Sequence, residues 1–303
     1  MQELMCFSGQ SMVYSEAEQL LGKILGVEVS GMQIQRVCQF YGCELEKLID
    51  QNCEAIIPKI ESSQKDDPVY VMMDGSMLYT RDENWKELKL GNIFYDSQVI
   101  DIQSKRRKIC NVAYVSHLGS VNEFFPKFER HLVGYEKKVI LGDGAKWIWK
   151  WAEDNYPGAI QILDFYHAKE KLVIFAQHHF KDDQKRKAWV KEKEDDLLNN
   201  DVEKVIAELV KLRSKPESKA HKHKAIQYFT EHEDRMQYKT YRDKNLLIGS
   251  GPIEAAHRSV IQQRMKLSGQ KWSTKGANAI ATLRCYNKSN AWDKVALLIK
   301  AAA

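Results

Sequence analysis

The sequence predicts a mixed α/β protein: a sheet covered by helices, preceded by an N-terminal helical region and interrupted by an inserted all-α subdomain. Three observations carry this prediction. Residues 1–65 place apolar side chains at helical spacing, short β-branched runs such as Val69-Tyr-Val-Met-Met73 follow, and residues 165–245 become rich in Lys and Glu with helical apolar rows. The boundaries expected from these changes are 1–66, 67–164, 165–247 and 248–303.

In the first segment, Ser15-Glu-Ala-Glu18 opens an amphipathic run through Leu20, Leu21, Ile24 and Leu25. Ser15 is placed to cap it and Glu18 to answer as the reciprocal partner. Gly26-Val-Glu-Val-Ser30 breaks the run, and Ser30 can cap a second helix carrying Met32, Ile34, Val37, Cys38 and Phe40. Two helices joined by a tight Gly-containing turn resemble a DNA-binding helix-turn-helix, although most such pairs are only packing units. The polar stretch Ser62-Ser-Gln-Lys-Asp-Asp-Pro68 marks a domain boundary.

The strand block begins with Val69–Met73, expected to end at Asp74-Gly75. Leu88–Ile100 and Lys108–Ser116 are two longer candidate strands, and Val121–Val133 reads as a helix. Lys138-Val-Ile-Leu141 is a buried strand ending at Gly142-Asp143-Gly144. Trp147, Ile148 and Trp151 mark one face of the next helix, and Ala159–Leu163 is a strand ending at Asp164. The stretch from Phe165 to Asn245, with rows such as Leu197, Leu198, Val202, Val205, Ile206 and Leu209, is too long for a connection. Leu246-Leu-Ile-Gly-Ser-Gly251 then leads into Pro252-Ile-Glu254, where Pro and Glu announce a new helix.

Composition narrows the class of function. The 303 residues are 44 % apolar, yet the longest apolar runs (Val69–Met73, Leu172–Ala176, Val295–Ile299) are five residues, against about 20 for a membrane span. Glu3 and the early polar residues do not suit a secretory leader, so a soluble, cytoplasmic protein without a membrane partner is expected. Six scattered cysteines without a C-x-x-C pair suit reduced, mostly buried thiols rather than zinc or disulfides. The net charge of +5 conceals an asymmetry, because residues 255–303 carry nine Lys/Arg against Asp293 alone. A basic end on a near-neutral body fits an anionic polymer as partner, and equally a solvated helical face.

Three acids are distinguished by position. Asp74 and Asp143 follow apolar strands, beside glycines that let a ligand approach the backbone, and Glu254 lies in the first turn of a helix. Brought together, three carboxylates repel unless they protonate or bind cations, since two charges 4 Å apart cost about 4 kcal/mol at an effective dielectric near 20. Two divalent ions on such a cluster suit phosphodiester chemistry. Each acid also has an ordinary reading, as a turn signal after a strand or as a helix N-terminal acid.

The strings VMMDGSMLYT (71–80), VILGDGAKWIWKWA (139–152), ILDFYHAKEKL (162–172) and IGSGPIEAAHRSVIQQRMKLSGQKWS (248–273) resemble bacterial insertion-sequence transposases of the DDE superfamily. The resemblance is to the ISKra-like and ISLre-like branch and runs from about residue 12 to 292. It implies an RNase H-like core holding two Mg²⁺ ions, with Mn²⁺ as a substitute, on Asp74, Asp143 and Glu254. It also implies double-stranded DNA as partner, at least a dimer on DNA, association with the bacterial nucleoid, and a helical insertion before the Glu. Similar transposases often carry a further N-terminal, Cys-rich DNA-binding segment. This chain departs from them by beginning almost at the helical pair, as a variant lineage or a truncated or domesticated copy would.

Secondary candidates follow. Asp164, Tyr166 and His167 lie after a strand, where His167 can assist a proton transfer, contact a phosphate or make a structural hydrogen bond. Arg258, Arg264, Lys266 and Lys271 are expected to track DNA phosphates. Trp272 is either a stacking platform for an unpaired base or a core anchor ahead of a Ser273 cap. His178, His179, His221 and His223 are read as solvated or phosphate-facing rather than as zinc ligands. The function expected is metal-dependent cleavage at the ends of a mobile element followed by strand transfer. The alternatives are a non-catalytic DNA-binding regulator and an RNase H-like nuclease without strand transfer.

Overall fold

The computed structural model describes residues 1–61, 66–103, 106–213 and 215–302. Within them the chain forms two compact units, Met1–Lys138 with Pro252–Ala303, and Val139–Gly251. Of the expected boundary at Ser62–Pro68, residues 62–65 lie outside the described residues.

The first unit opens with α1 (Gln2–Ser11), α2 (Tyr14–Leu25) and α3 (Gly31–Asp50). Ser15 does not cap α2: the helix starts two residues earlier than such a cap would place it, at Tyr14, with Val13 at the cap position and no side-chain bond there. Glu18 is used differently, its carboxylate accepting the Gly31 N–H at 2.6 Å across the turn. Gly26 ends α2 at φ +64°, a left-handed conformation that costs glycine nothing sterically. Ser30 caps α3 as expected, accepting from the Gln33 N–H at 3.2 Å.

Strands β1 (Val69–Thr80) and β2 (Asn84–Tyr95) form an antiparallel hairpin in continuous register from Val69↔Tyr95 to Thr80↔Asn84. The first strand therefore does not end at Asp74. Asp74 and Gly75 sit opposite Leu90 and Lys89, and pairing along β2 overrides the turn preference of Asp-Gly. A Cβ at Gly75 would meet the Glu87 carboxylate, which would have to swing aside. The expected strand Leu88–Ile100 is likewise interrupted by a 3₁₀ turn at Asp96–Gln98, where the Ser97 N–H donates to the Asp67 carboxylate at 3.2 Å. Short β3 (Val99–Gln103) pairs with β4 (Arg106–Ile109), and β5 (Ala113–Leu118) pairs with β2. The expected strand Lys108–Ser116 is thus split between two ladders. Helix α4 (Val121–Arg130) starts at a Ser120/Glu123 capping box and stacks Phe124 on Phe128 at 5.2 Å.

The second unit contains the parallel pair β6 (Lys138–Gly142), whose first residue belongs to the first unit, and β7 (Ile160–Leu163), joined through α5 (Lys146–Asn155). Ile148, Trp149 and Trp151 bury one face of α5. After β7 come α6 (Phe165–His179), α7 (Asp183–Leu198), α8 (Val202–Lys211), α9 (Lys219–Glu231) and α10 (Tyr238–Asp243), so the expected insertion is helical. Lys193 is buried inside it, with ion pairs to Asp196 at 2.7 Å and Glu192 at 2.9 Å and a third to Glu208. His178 stacks on His221 at 3.7 Å between ring centres. His179 is not solvated: it is buried, with Nδ1 3.2 Å from the Ser218 hydroxyl.

The chain returns to the first unit through α11 (Gly251–Ala256), a π-helical turn at His257–Gln262, α12 (Gln263–Met265), α13 (Thr274–Lys288) and α14 (Trp292–Ala301). Helix α13 is buried from Gly276 to Tyr286 and meets α3 closely at Gly42, where a Cβ would lie 2.5 Å from the Ala279 carbonyl oxygen. Ser273 caps α13 through the Gly276 N–H at 3.1 Å.

The strands are thus of mixed sense, antiparallel in the first unit and parallel in the second, with helices around them. No described helix is long and apolar enough to cross a membrane. The six cysteines are free; Cys6, Cys38 and Cys285 are buried and Cys110 is exposed.

Candidate functional site

In the first unit, Asp74 lies midway along β1 with a half-exposed side chain. Its Oδ1 accepts the Gly75 N–H at 2.7 Å, and its Oδ2 is 3.4 Å from Nε2 of His257. His257 is buried and opens the π-helical turn that follows α11, with Nδ1 3.1 Å from the Ser76 hydroxyl. Burial pushes the imidazole down to about 4, against the upward pull of the Asp74 carbonyl, and Lys266 lowers it further. The ring is therefore neutral at neutral pH. The wider turn matters locally, because π-type turns reset which side chains a helix presents and recur at functional sites. Glu254, exposed in the first turn of α11, precedes His257 by three residues. Lys266 is exposed as a residue, and its ammonium lies in the field of Asp74: burial lowers its pKa and the carboxylate raises it.

In the second unit, Asp143 follows β6 directly, as expected. Its Oδ1 accepts the Ala145 N–H at 2.9 Å, and its carbonyl accepts from the Trp149 indole at 2.7 Å. Asp164 follows β7 and is fully buried. It caps α6 by accepting the Tyr166 N–H at 2.7 Å, and its other oxygen takes the hydroxyl and the N–H of Ser250, the latter at 3.2 Å. Burial raises the Asp164 pKa, but hydrogen bonds from His167 and Ser250 outweigh it and hold the carboxyl below its usual range. His167 meets the same carboxylate at 3.3 Å. That bond first, and then the charges of Asp164 and Asp143, raise its pKa against its burial. Tyr166 is exposed, its ring close to Gly249. Tyr228 and His232 line the Gly144 backbone, so a side chain at Gly144 would strike the Tyr228 ring.

The expected phosphate contacts divide into two kinds. Arg258, Lys266 and Lys271 are exposed. Arg264 is not a surface contact: it is 1 % exposed, donates to the Gly9 carbonyl at 3.0 Å, and has its guanidinium over the rings of Tyr14 at 4.9 Å and Trp272 at 5.0 Å. Trp272 is a core anchor rather than an open platform, because its indole donates to the Met265 carbonyl at 3.0 Å and one face meets Arg264. Arg284 is also buried, donating to the carbonyls of Gln10, Val260 and Ser259. The basic C-terminal stretch thus spends two of its cations on structure.

Nothing in the local sequence singles out His257, Ser76 or Ser250 as site residues. Position is the one signal for two of them: His257 falls three residues after Glu254, and Ser250 stands in the Gly-Ser-Gly segment before it.

Residues 14–298 match the uncharacterised protein family UPF0236, and the chain belongs to that family. No curated protein matches the sequence.

Proposed function

Taking membership of UPF0236 as the premise, we propose that this protein is a DDE transposase with an RNase H-like core, acting on double-stranded DNA at the ends of a mobile element. The observation that carries the reading is the 3.4 Å approach of His257 to Asp74, because it ties the segment bearing Glu254 to the strand bearing Asp74. Asp143, placed directly after β6 with its carboxylate oriented by the Ala145 N–H, is the remaining acid.

The residues suit the ions such an enzyme needs. All three donors are carboxylates, the hard oxygen ligands that Mg²⁺ and Mn²⁺ take, and backbone N–H groups fix one oxygen of Asp74 and one of Asp143. Asp74, Asp143 and Glu254 would hold two Mg²⁺ ions, which supply activation of the attacking oxygen and stabilisation of the leaving one. Ser76 and His257 fix the surroundings of Asp74, while Lys266 and Arg258 offer cations to DNA phosphates. Both steps, strand cleavage by water and strand transfer by a 3′-hydroxyl, are displacements at phosphorus, so no Ser or Tyr nucleophile is called for. Joining two element ends to a target requires at least a dimer on DNA, and such a protein would work at the bacterial nucleoid.

The test is incubation with DNA carrying the gene's native flanks, with Mg²⁺ or Mn²⁺ and with chelator, for wild type and Asp143→Asn. Cuts at two defined positions, lost with chelator and in the variant, are expected. An active Asp143→Asn protein overturns the triad, and binding without cuts assigns the chain to the non-catalytic, regulatory class.

A further inference from the structure

Gly144 follows Asp143 within the second unit, and its backbone lies outside the left-handed region, so conformation alone would admit a side chain there. What excludes one is Tyr228, carried by α9 of the helical insertion. A Cβ at Gly144 would lie 2.5 Å from Cε2 and 3.3 Å from Cδ2 of the Tyr228 ring, and 3.4 Å from Nε2 of His232. Bare backbone thus meets an aromatic ring at the residue after Asp143.

The ring is itself held in place. Tyr228 meets the His232 ring edge-on at 5.1 Å between centres, and the Lys171 ammonium lies 5.5 Å from the centre of the Tyr228 ring. Arg235, in the 3₁₀ turn Glu233–Arg235 after α9, places its guanidinium over the Trp149 ring at 4.8 Å. Its Nε donates to the Gln161 side chain at 2.8 Å, and it pairs with Glu153. Trp149 returns the contact to the acid, since its indole donates to the Asp143 carbonyl. The Tyr228 hydroxyl adds nothing to this, being buried without a hydrogen-bond partner among the described residues. Tyr228 acts through its ring.

The Asp143 carboxylate is oriented by the Ala145 N–H, a bond that spans Gly144 and so depends on the path of the backbone there. We propose that Tyr228 is a positioning residue for Asp143: its ring pins Gly144 and so keeps the carboxylate aimed. The inference rests on the reading of Asp143 as a metal ligand. A carboxylate already ordered loses less freedom when an ion binds, so packing behind it raises metal affinity. The insertion then sets the affinity of the site through α9 rather than serving as bulk.

The experiment is titration calorimetry of the full chain with Mn²⁺, with urea unfolding alongside. Asp143→Asn is expected to lose Mn²⁺ binding; binding equal to wild type overturns the metal reading and this inference with it. Tyr228→Ala and Gly144→Ala should each weaken Mn²⁺ binding about tenfold, the scale of supporting contacts around metal ligands. Gly144→Ala leaves Tyr228 in place and carries the test alone if Tyr228→Ala fails to fold. The double variant should bind no more weakly than either single one, whereas independent effects would multiply to about a hundredfold. Tyr228→Phe keeps the ring and should bind as wild type does. A ring with a merely structural role would lower stability to urea and leave Mn²⁺ affinity unchanged in Tyr228→Ala and Gly144→Ala. That result, with binding lost in Asp143→Asn, overturns the positioning role and leaves the metal reading standing. Equal losses in Tyr228→Phe and Tyr228→Ala overturn it too, by assigning the effect to the hydroxyl.

Discussion

Nε2 of His257 lies 3.4 Å from Oδ2 of Asp74, while Nδ1 of the same ring lies 3.1 Å from the hydroxyl of Ser76. Asp74 and Ser76 are two residues apart on β1, so their side chains leave the same face of the strand, and one imidazole spans both. The ring therefore fixes the strand face that carries the first acid of the proposed triad.

Ser76→Ala should separate positioning from folding. Loss of one half-buried hydrogen bond costs about 1 kcal/mol of stability. If Asp74 holds a metal, loosening the ring beside it should raise the Mg²⁺ concentration for half-maximal DNA cleavage about tenfold, the scale on which supporting hydrogen bonds act. Mg²⁺ titration of cleavage by wild type and Ser76→Ala checks this, with urea unfolding alongside. An unchanged Mg²⁺ requirement would assign His257 to packing alone.

Two glycines in neighbouring helices should respond oppositely to alanine. At Gly42 in α3 a Cβ would lie 2.5 Å from the Ala279 carbonyl oxygen, so Gly42→Ala must push α3 away from α13. The expected loss is about 1–3 kcal/mol. Gly22, exposed within α2, has only the Val27 carbonyl oxygen near its Cβ position, at 3.8 Å. There alanine relieves helical glycine of its entropy and should stabilise by up to about 1 kcal/mol. Paired urea denaturation curves decide it, and equal signs would contradict the close α3–α13 contact.

These glycines also mark the limit of what the sequence discloses. Helix boundaries set by local chemistry were legible: the Ser30 cap, Glu254 in the first turn of a helix, and Asp143 directly after an apolar strand. Features set by partners distant in sequence were not. Asp74-Gly75 reads as a turn, and only pairing with Leu90 and Lys89 keeps it extended. Arg264 reads as a surface cation, and only the Gly9 carbonyl and the rings of Tyr14 and Trp272 make its burial tolerable. Asp164 shows both sides: its place after β7 follows from the apolar run before it, whereas its bond to Ser250, 86 residues on, has no local signal.

His131 provides a test of stability against pH. It is 4 % exposed, one residue beyond α4, with Nδ1 2.8 Å from the Lys127 carbonyl. Burial pushes its pKa down to about 4; the Lys127 carbonyl opposes this and Arg130 adds to it. The ordinary value is 6.5. Between those values the unfolded chain binds a proton that the folded chain does not, so folding stability falls as the pH is lowered through this window. Above pH 6.5 both forms are neutral and the contribution is complete; below about 4 it is lost. One proton over this window amounts to about 3 kcal/mol. Other depressed imidazoles, such as His257, add in the same direction, while His167, with its raised pKa, opposes them. Comparison with a variant isolates His131. His131→Gln keeps a donor for the Lys127 carbonyl and cannot titrate, so it should unfold more easily at pH 7 by about 1 kcal/mol yet lose less stability between pH 7 and 5. Urea unfolding of both proteins at the two pH values measures the difference. The same pH-dependent loss in both would place the buried titration elsewhere.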